Sequence, residues 1–408
     1  MDYSDWTVFF VNKFNWLSKG PMATVSTMST YKLAELGART HLIIEGDSNL
    51  DADEILEDNF NLKSLENYTV KLINRYIAGR FKMTHKFYLK AVDYILKNRN
   101  RNGKNIVMSR NTTFLPYLSI FERLYNFTTL YEAHGYHGKA SLEHLPENDS
   151  QESLLSHYRL IERAYLNRID GMISIAKTQD ELYKKDYLKI PSIVLPLGAN
   201  IDHDIKLNDN FGDKMLVYAG RLTKNIDYEI IFKALAILDD IRFTWLGLKE
   251  KDIKKLMPYI KSNQIEDRVE LIEWLPHSKM IDFLRNKATV GIVSYKNTFQ
   301  INANISPTKI FDYFSCGLPA IANDFPSINT ILQEGHQGYL YHTDNIRSFI
   351  SCIEQIFENH ESYNKMQKSA IERADYFSWK NRSKRILEFA RGMEKNDEKE
   401  ESSLYMHS

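Results

Sequence analysis

Met215-Leu216-Val217-Tyr218-Ala219-Gly220-Arg221-Leu222-Thr223-Lys224 is the stretch that decides how this chain is read. An apolar run of strand length leads straight into a glycine and then two cations. Glycine after a buried strand lets the backbone turn tightly at the carboxyl edge of a parallel sheet. There Arg221 can hold a phosphate bidentately while Lys224 acts as a point charge. Asp227 follows as an N-cap for a helix running to Leu238. Read alone, a basic pair after a strand equally describes a solvated loop.

The same rhythm extends outward in both directions. Short runs rich in Val, Ile, Phe and Tyr alternate with longer periodic segments, which argues βαβ units and parallel sheets. After Lys224, strands are expected at Arg242–Leu246, Val269–Ile272, Thr289–Val293 and Ala320–Ala322, with helical segments over Ile346–Glu358, Ser362–Ala374 and Lys380–Met393. Before Met215, strands are expected at Thr7–Val11, Thr40–Ile44, Ile106–Ser109, Thr128–Ala133, Met172–Ile175 and Ser192–Leu195, with helices over Ala23–Leu36 and Leu154–Asn167. The chain turns polar after Leu195-Pro196-Leu197-Gly198, the best boundary between the halves. The expected fold class is therefore α/β, with two Rossmann-like doubly wound parallel-sheet domains facing across a cleft. Its parts are a first domain over 1–199, a linker over 200–212, a second domain over 213–378, a C-terminal helix over 379–393 that returns to the first domain, and a charged, disordered tail over 394–408.

Composition narrows the function. The 53 basic residues balance 53 acidic ones, so a whole-chain nucleic-acid footprint is not expected. The acidic start, Met1 to Trp6, does not read as a secretory signal, and no apolar run approaches the ~18 residues of a membrane helix. Cys316 and Cys352 are the two cysteines of the chain, too few for a disulfide framework or a cysteine metal cluster. A cytoplasmic protein is the expectation.

A second constellation lies near the end of the second half. Ser306-Pro307-Thr308-Lys309-Ile310-Phe311-Asp312-Tyr313-Phe314-Ser315-Cys316-Gly317 reads as a short helix, with Ser306 as cap, Pro307 at the first helical position and Gly317 at the C-terminal turn. Its N-terminus, around Ser306, Pro307, Thr308 and Lys309, is a ready anion site. Asp312, about one and a half turns in, could accept both hydroxyl protons of a ribose. A capped surface helix with a solvated aspartate is the plainer reading of the same residues.

Together, in this order and spacing, the two constellations resemble the retaining nucleotide-sugar glycosyltransferases of family four, with the GT-B fold. The resemblance implies that Gly220, Arg221 and a lysine, here Lys224, hold the donor diphosphate. It also implies that Asp312 holds the ribose, as the last acid of a motif that pairs two glutamates and ends in glycine, here Gly317. Gly20 resembles the family's N-terminal glycine loop, Leu195–Gly198 its interdomain turn, and Trp274-Leu275-Pro276 the turn before its base-binding loop. The likeness runs over roughly residues 7–390 and is strongest in the second half. This chain departs from the pattern in carrying Asn304 for the first glutamate and the shorter Asp312 for the second. Lys224 also follows Arg221 more closely than the family's lysine does. The Ser-Pro-Thr-Lys segment resembles a variant motif in which the lysine, here Lys309, takes part of the lost role.

In the first half, the strand ending at Ala133 delivers Glu132, His134 and His137 toward the cleft, and the resemblance implies that His134 stands near the donor sugar. Arg110, after the strand Ile106–Ser109, is a candidate for the acceptor, with a plain surface arginine as the alternative. No metal site is expected: the two histidines lack a third distant ligand, and Asp51-Ala52-Asp53 and Asp202-His203-Asp204 read as solvated turns. No cofactor is implied beyond the donor itself.

The acceptor is open among a glycan, a lipid-linked molecule and a protein. Segment Lys71–Lys104 holds ten cations against one acid, with Tyr76, Phe81, Phe87, Tyr88 and Tyr94 interleaved. That composition suits peripheral contact with an anionic membrane, on the inner face if cytoplasmic; a solvated amphipathic helix is the competing reading. Two rival functions remain at this stage, a non-catalytic accessory subunit and a GT-B epimerase or phosphorylase.

Overall fold

The computed structural model describes residues 2–18, 21–77, 81–143, 149–202, 205, 207 and 209–393. The tail over 394–408 and Gly20 lie outside the described residues. Seven parallel strands form the first sheet: β1 (Trp6–Asn15), β2 (Arg39–Glu45), β3 (Tyr68–Ile73), β4 (Lys104–Ser109), β5 (Thr128–Ala133), β6 (Gly171–Ser174) and β7 (Ser192–Val194). Six parallel strands form the second: β8 (Met215–Ala219), β9 (Arg242–Leu248), β10 (Val269–Glu273), β11 (Val290–Val293), β12 (Ala320–Asn323) and β13 (Gly338–Tyr341). The orders are β3-β2-β1-β4-β5-β6-β7 and β10-β9-β8-β11-β12-β13. Each sheet reverses direction of growth beside its first strand, and the crevice there is where doubly wound sheets hold ligands.

Helices cover both faces, so the central strands are buried and read as apolar runs instead of alternating ones. The first seven residues of β1 are all buried. Where the sequence pattern was mixed it misled. β3 was hidden in the polar run Tyr68-Thr69-Val70-Lys71, yet it pairs with β2 along six residues. β13 was missed as well, because Gly338 opens it and its four residues are too few for a periodicity. The Asp51-Ala52-Asp53 turn is in fact a helix start: the Asp51 carboxylate accepts from the Asp53 and Glu54 N–H groups, at 2.9 and 3.3 Å, and caps Ala52–Phe60.

The chain crosses between its halves twice, and the two crossings are bonded to each other. Ala199 N–H donates to Phe377 O at 3.0 Å, and Trp379 N–H donates to Ala199 O at 3.1 Å. Gly198 makes this possible, because a Cβ there would fall 2.6 Å from the Trp379 ring. The last helix, Trp379–Arg391, then packs against the helix Pro21–Glu35 of the first half. One apolar cluster is continuous across the join, uniting Val25, Met28 and Ile175 with Phe311, Phe325 and Trp379. Among the described residues, no helix is long and apolar enough to cross a membrane.

Candidate active site

At the edge of the second sheet, Gly220 takes φ +146°, a conformation glycine adopts freely. Its N–H donates to Leu246 O and its carbonyl accepts from the Trp245 indole, both at 2.8 Å. Arg221 and Lys224 follow, both exposed. The helix Thr308–Ser315 is pegged above this turn by Tyr313. The buried Tyr313 hydroxyl accepts from Ala219 N–H at 2.9 Å and donates to Ile292 O at 3.2 Å, tying the helix to β8 and β11 together. Gly291 clears the space, since a Cβ there would lie 2.2 Å from the ring. Neither residue drew attention in the sequence, although glycine inside an apolar strand is a signal of close approach.

The peg brings Lys309 against the Gly220 turn. Its ammonium donates to the Tyr295 hydroxyl at 2.7 Å and lies 4.9 Å from the ring centroids of both Tyr218 and Tyr295. Burial, with the neighbouring tyrosines, pushes the Tyr218 phenol well above its usual range, so it stays a neutral hydroxyl. Asp312, one turn further, faces Nε2 of His277 at 3.2 Å. His277 opens the helix that follows Trp274-Leu275-Pro276. Burial lowers its pKa, but the Asp312 hydrogen bond and charge outweigh this and raise it.

Ser306 behaves differently from the expectation. The N-cap of this helix is Pro307, with no side-chain cap bond, and Thr308 is the first helical residue. The Ser306 hydroxyl instead accepts from Leu197 N–H at 3.0 Å, holding the helix start to the interdomain turn. Gly317 does take a left-handed conformation, φ +70°, just past the helix end.

Across the cleft, Glu132 and His134 stand at the end of β5. Glu132 is fully buried; one carboxylate oxygen accepts from His134 Nε2 at 2.5 Å and the other from Arg382 Nη2 at 2.9 Å. Burial alone would raise its carboxyl, but Arg382, His134 and Arg110 hold it below the usual carboxylate range. Burial and then the charge of Arg110 lower His134 to about 4, against the pull of Glu132. His134 is therefore a neutral imidazole near pH 7. With Nε2–H committed to Glu132, its Nδ1 lone pair is the one left to accept. Arg110 is no surface arginine: it is 6% exposed, its Nη2 lies 3.2 Å from the Met22 thioether, and its buried Nη1 has no hydrogen-bond partner.

Asn304 joins the two sides. Its Oδ1 accepts from the backbone N–H of Tyr136 at 2.6 Å and from Gln179 at 3.2 Å, while its Nδ2 donates to Gln300 O at 3.0 Å. Beside it, the Thr178 hydroxyl donates to Asn302 O at 2.9 Å. His137 pairs separately with buried Glu162 at 2.7 Å, so the two histidines do not converge. Among the described residues, no group of three or more His, Cys, Asp and Glu is placed to hold a metal ion. Asp202 pairs with Arg285 at 2.9 Å, while His203 and Asp204 lie outside the described residues.

Residues 201–373 match the sequence model of the family Glycosyl transferases group 1. Chitobiosyldiphosphodolichol beta-mannosyltransferase of Debaryomyces hansenii is 22% identical over 222 residues, 48% of this chain and 46% of that protein. The match thus spans about half the length of that curated relative. Among solved structures, sucrose-phosphate synthase from Thermosynechococcus elongatus superposes with a TM-score of 0.70 at 14% identity, over 95% of this chain and 99% of that one. The Anabaena protein HepE, solved in complex with UDP-glucose, superposes with a TM-score of 0.68 at 15% identity, again over 95% and 99%. The family match thus lies in the second half of the chain, while both halves share the fold of these solved structures, two parallel-sheet domains of the GT-B architecture.

Proposed function

We propose that the chain transfers a sugar from a nucleoside diphosphate sugar to an acceptor, with retention of anomeric configuration and without a metal ion. One observation carries the reading: Lys309 is caged by two tyrosines directly against the Gly220 turn, with Asp312 one turn along the same helix. A diphosphate at the turn would meet Arg221, Lys224, Lys309 and the free N–H groups at Thr308, while its ribose would reach Asp312. The UDP-glucose complex of HepE supports a donor of this class.

When the sugar–phosphate bond breaks, negative charge grows on the leaving diphosphate, and fixed cations stabilise it most where water is excluded. The cage keeps the Lys309 ammonium in place before the reaction begins. His134 offers a neutral acceptor, Nδ1, suited to a sugar hydroxyl, and its partner Glu132 fixes that tautomer. Asn304 stands where the resemblance places a carboxylate. We read its role as holding the loop of His134 and Tyr136 against the donor helix. The acceptor meets Arg110 on the opposite wall.

Peripheral attachment to an anionic membrane belongs to the same proposal. The segment Lys71–Lys104 is not one helix. It comprises the end of β3, a short antiparallel pair at Tyr76–Ile77 and Phe81–Lys82, and the helix Thr84–Asn98. Phe87 and Tyr88 are core residues, but Phe81, Met83 and Leu89 are 69%, 44% and 60% exposed beside Lys86 and Lys90. Apolar tips among lysines suit an anionic interface, where each cation near the surface adds about 1 kcal/mol.

Calorimetry with UDP and with uridine, followed by assay of UDP-sugar hydrolysis and transfer, tests the reading. UDP should bind much more tightly than uridine and release of sugar should be detectable. Tight UDP binding with no turnover on any sugar would favour an accessory subunit, and equal binding of UDP and uridine would remove the phosphate site.

A further inference from the structure

The loop that carries His134 is held on the first-domain side by a buried carboxylate that the proposed donor and acceptor contacts leave unused. Glu162, on the helix Asp149–Tyr165, is fully buried. Its Oε1 accepts from His137 Nδ1 at 2.7 Å and from the Tyr183 hydroxyl at 2.6 Å, and its Oε2 accepts from the Tyr187 hydroxyl. Burial and then the charge of Glu162 push both tyrosine hydroxyls well above their usual range, so both stay protonated donors. The Tyr158 ring packs on the His137 imidazole, with ring centres 5.0 Å apart.

The same groups reach the backbone of the loop. The Tyr183 hydroxyl also lies 2.8 Å from the carbonyl oxygen of Gly135, the residue next to His134. The His137 ring folds back over Gly135, its Nε2 3.3 Å from where a Cβ there would stand. Tyr136, between the two, donates its N–H to Asn304 Oδ1 at 2.6 Å and its hydroxyl to Asp186 at 3.1 Å. Tyr183 and Asp186 belong to one helix, Lys177–Asp186. The loop is thus anchored to the second domain through Asn304 and to the first through Glu162, Tyr183 and Asp186. A buried carboxylate is costly, and packed apolar side chains of similar volume commonly stabilise a core as well. What a satisfied network supplies is a single geometry. Here that geometry is the course of residues 134–137.

We propose that Glu162 is a positioning residue for sugar transfer. Through His137 and Tyr183 it fixes the backbone of the loop, and with it the place of His134 Nδ1 beside the donor. The part His134 plays in transfer rests on the proposed function, while the hold of Glu162 on the loop does not.

Imidazole nitrogen NMR of the full chain, with each histidine assigned by substitution, reads the loop without any substrate. Wild type should show His134 protonated at Nε2 and bare at Nδ1, as its bond to Glu132 requires. In Glu162→Gln the two nitrogens should move toward the averaged shifts of an unheld ring, while His41, buried in the first sheet, keeps its own signals and reports an intact fold. Should Glu162→Gln fail to fold, Tyr187→Phe removes one donor at almost no change in volume and should move His134 in the same direction. With UDP-glucose as donor, kcat should fall at least about tenfold in Glu162→Gln while KM and UDP affinity stay within about threefold. That loss should vanish when His134 is already glutamine, because Glu162 acts through it. Unchanged His134 signals in the folded variant, an unchanged kcat, or an equal loss in the His134→Gln background would overturn the proposal. If UDP-glucose is not turned over at all, the donor reading is what fails, and the NMR comparison alone decides whether Glu162 sets the loop.

Discussion

The two halves share a strand order but build their sites in opposite ways. In the second half, the Gly220 turn and the helix Thr308–Ser315 carry nearly everything, and one tyrosine, Tyr313, locks them together. In the first half, the cleft wall is assembled from Arg110, just past β4, and Glu132 on β5, with Arg382 arriving on the last helix of the chain. The polarity differs too. The second half leaves its pair, Asp312 and His277, partly open to water, whereas the first buries its ion pair, Glu132 and Arg382, almost completely. A site made of local segments can be exposed and still well placed, because each segment is held by its own strand. A site made of distant residues is held by its own buried charges, so its chemistry and its stability are one structure.

That contrast has consequences in order of size. Lys309→Ala should lower turnover by roughly 10²–10³, the usual loss for one fixed donor facing developing charge, with little change in stability. Steady-state kinetics on the active donor would show it, and a loss below tenfold would move catalysis away from the donor half.

Glu132→Gln should lower stability by about 3 kcal/mol, because it strands Arg382 in the core. Asp312→Asn, in a partly exposed pair, should cost under about 1 kcal/mol. Urea denaturation of both variants sets the halves side by side, and equal losses would erase the distinction. Gly198→Ala should cost about 1–3 kcal/mol by forcing the Trp379 ring aside, since overpacking of this kind strains its surroundings. A melting temperature equal to that of the wild type would show that the crossing can adjust.

Acid should separate the halves more gently. His41, buried in the first sheet and stacked on Phe9, and His134 both have pKa values lowered to about 4. The folded state therefore binds fewer protons than the unfolded chain between pH 6.5 and 4. Stability falls as pH drops through that window. For His277 the pKa is raised, so its pair with Asp312 stabilises below the ordinary histidine pKa and fades as pH rises through the raised value. Urea midpoints at pH 7.5 and 5 should show a smaller acid loss in His134→Gln and a larger one in His277→Gln. Identical pH responses in the two variants would contradict the assignment.

Legibility in the sequence followed the same division. Gly220, Arg221, Lys309 and Asp312 could be read because their geometry is set by a strand end and one helix, both local events. Tyr313 and Gly291 escaped because their contact is formed between segments 22 residues apart and looks like ordinary core in each. The Arg382–Glu132 pair spans 250 residues, and no local pattern announces a partner that far away. Ser306 was misread for a related reason: serine before proline is a standard cap signal, but tertiary structure used its hydroxyl to hold the turn at Leu197. The segment after Lys71 reads as one amphipathic unit because lysine spacing on a strand, a hairpin and a helix averages to the same composition.

Under the proposed function a nucleotide lies along the helix Thr308–Ser315, with its ribose on Asp312. Calorimetry of UDP and of its 2′,3′-dideoxy analogue, on the wild type and on Asp312→Asn, closes a double-mutant cycle on that contact. An amide has one acceptor oxygen where a carboxylate has two, so the substitution should cost about 1.5–3 kcal/mol with UDP and much less with the dideoxy analogue. A coupling energy of at least about 1 kcal/mol is the predicted result, and a coupling near zero would contradict the placement of the donor.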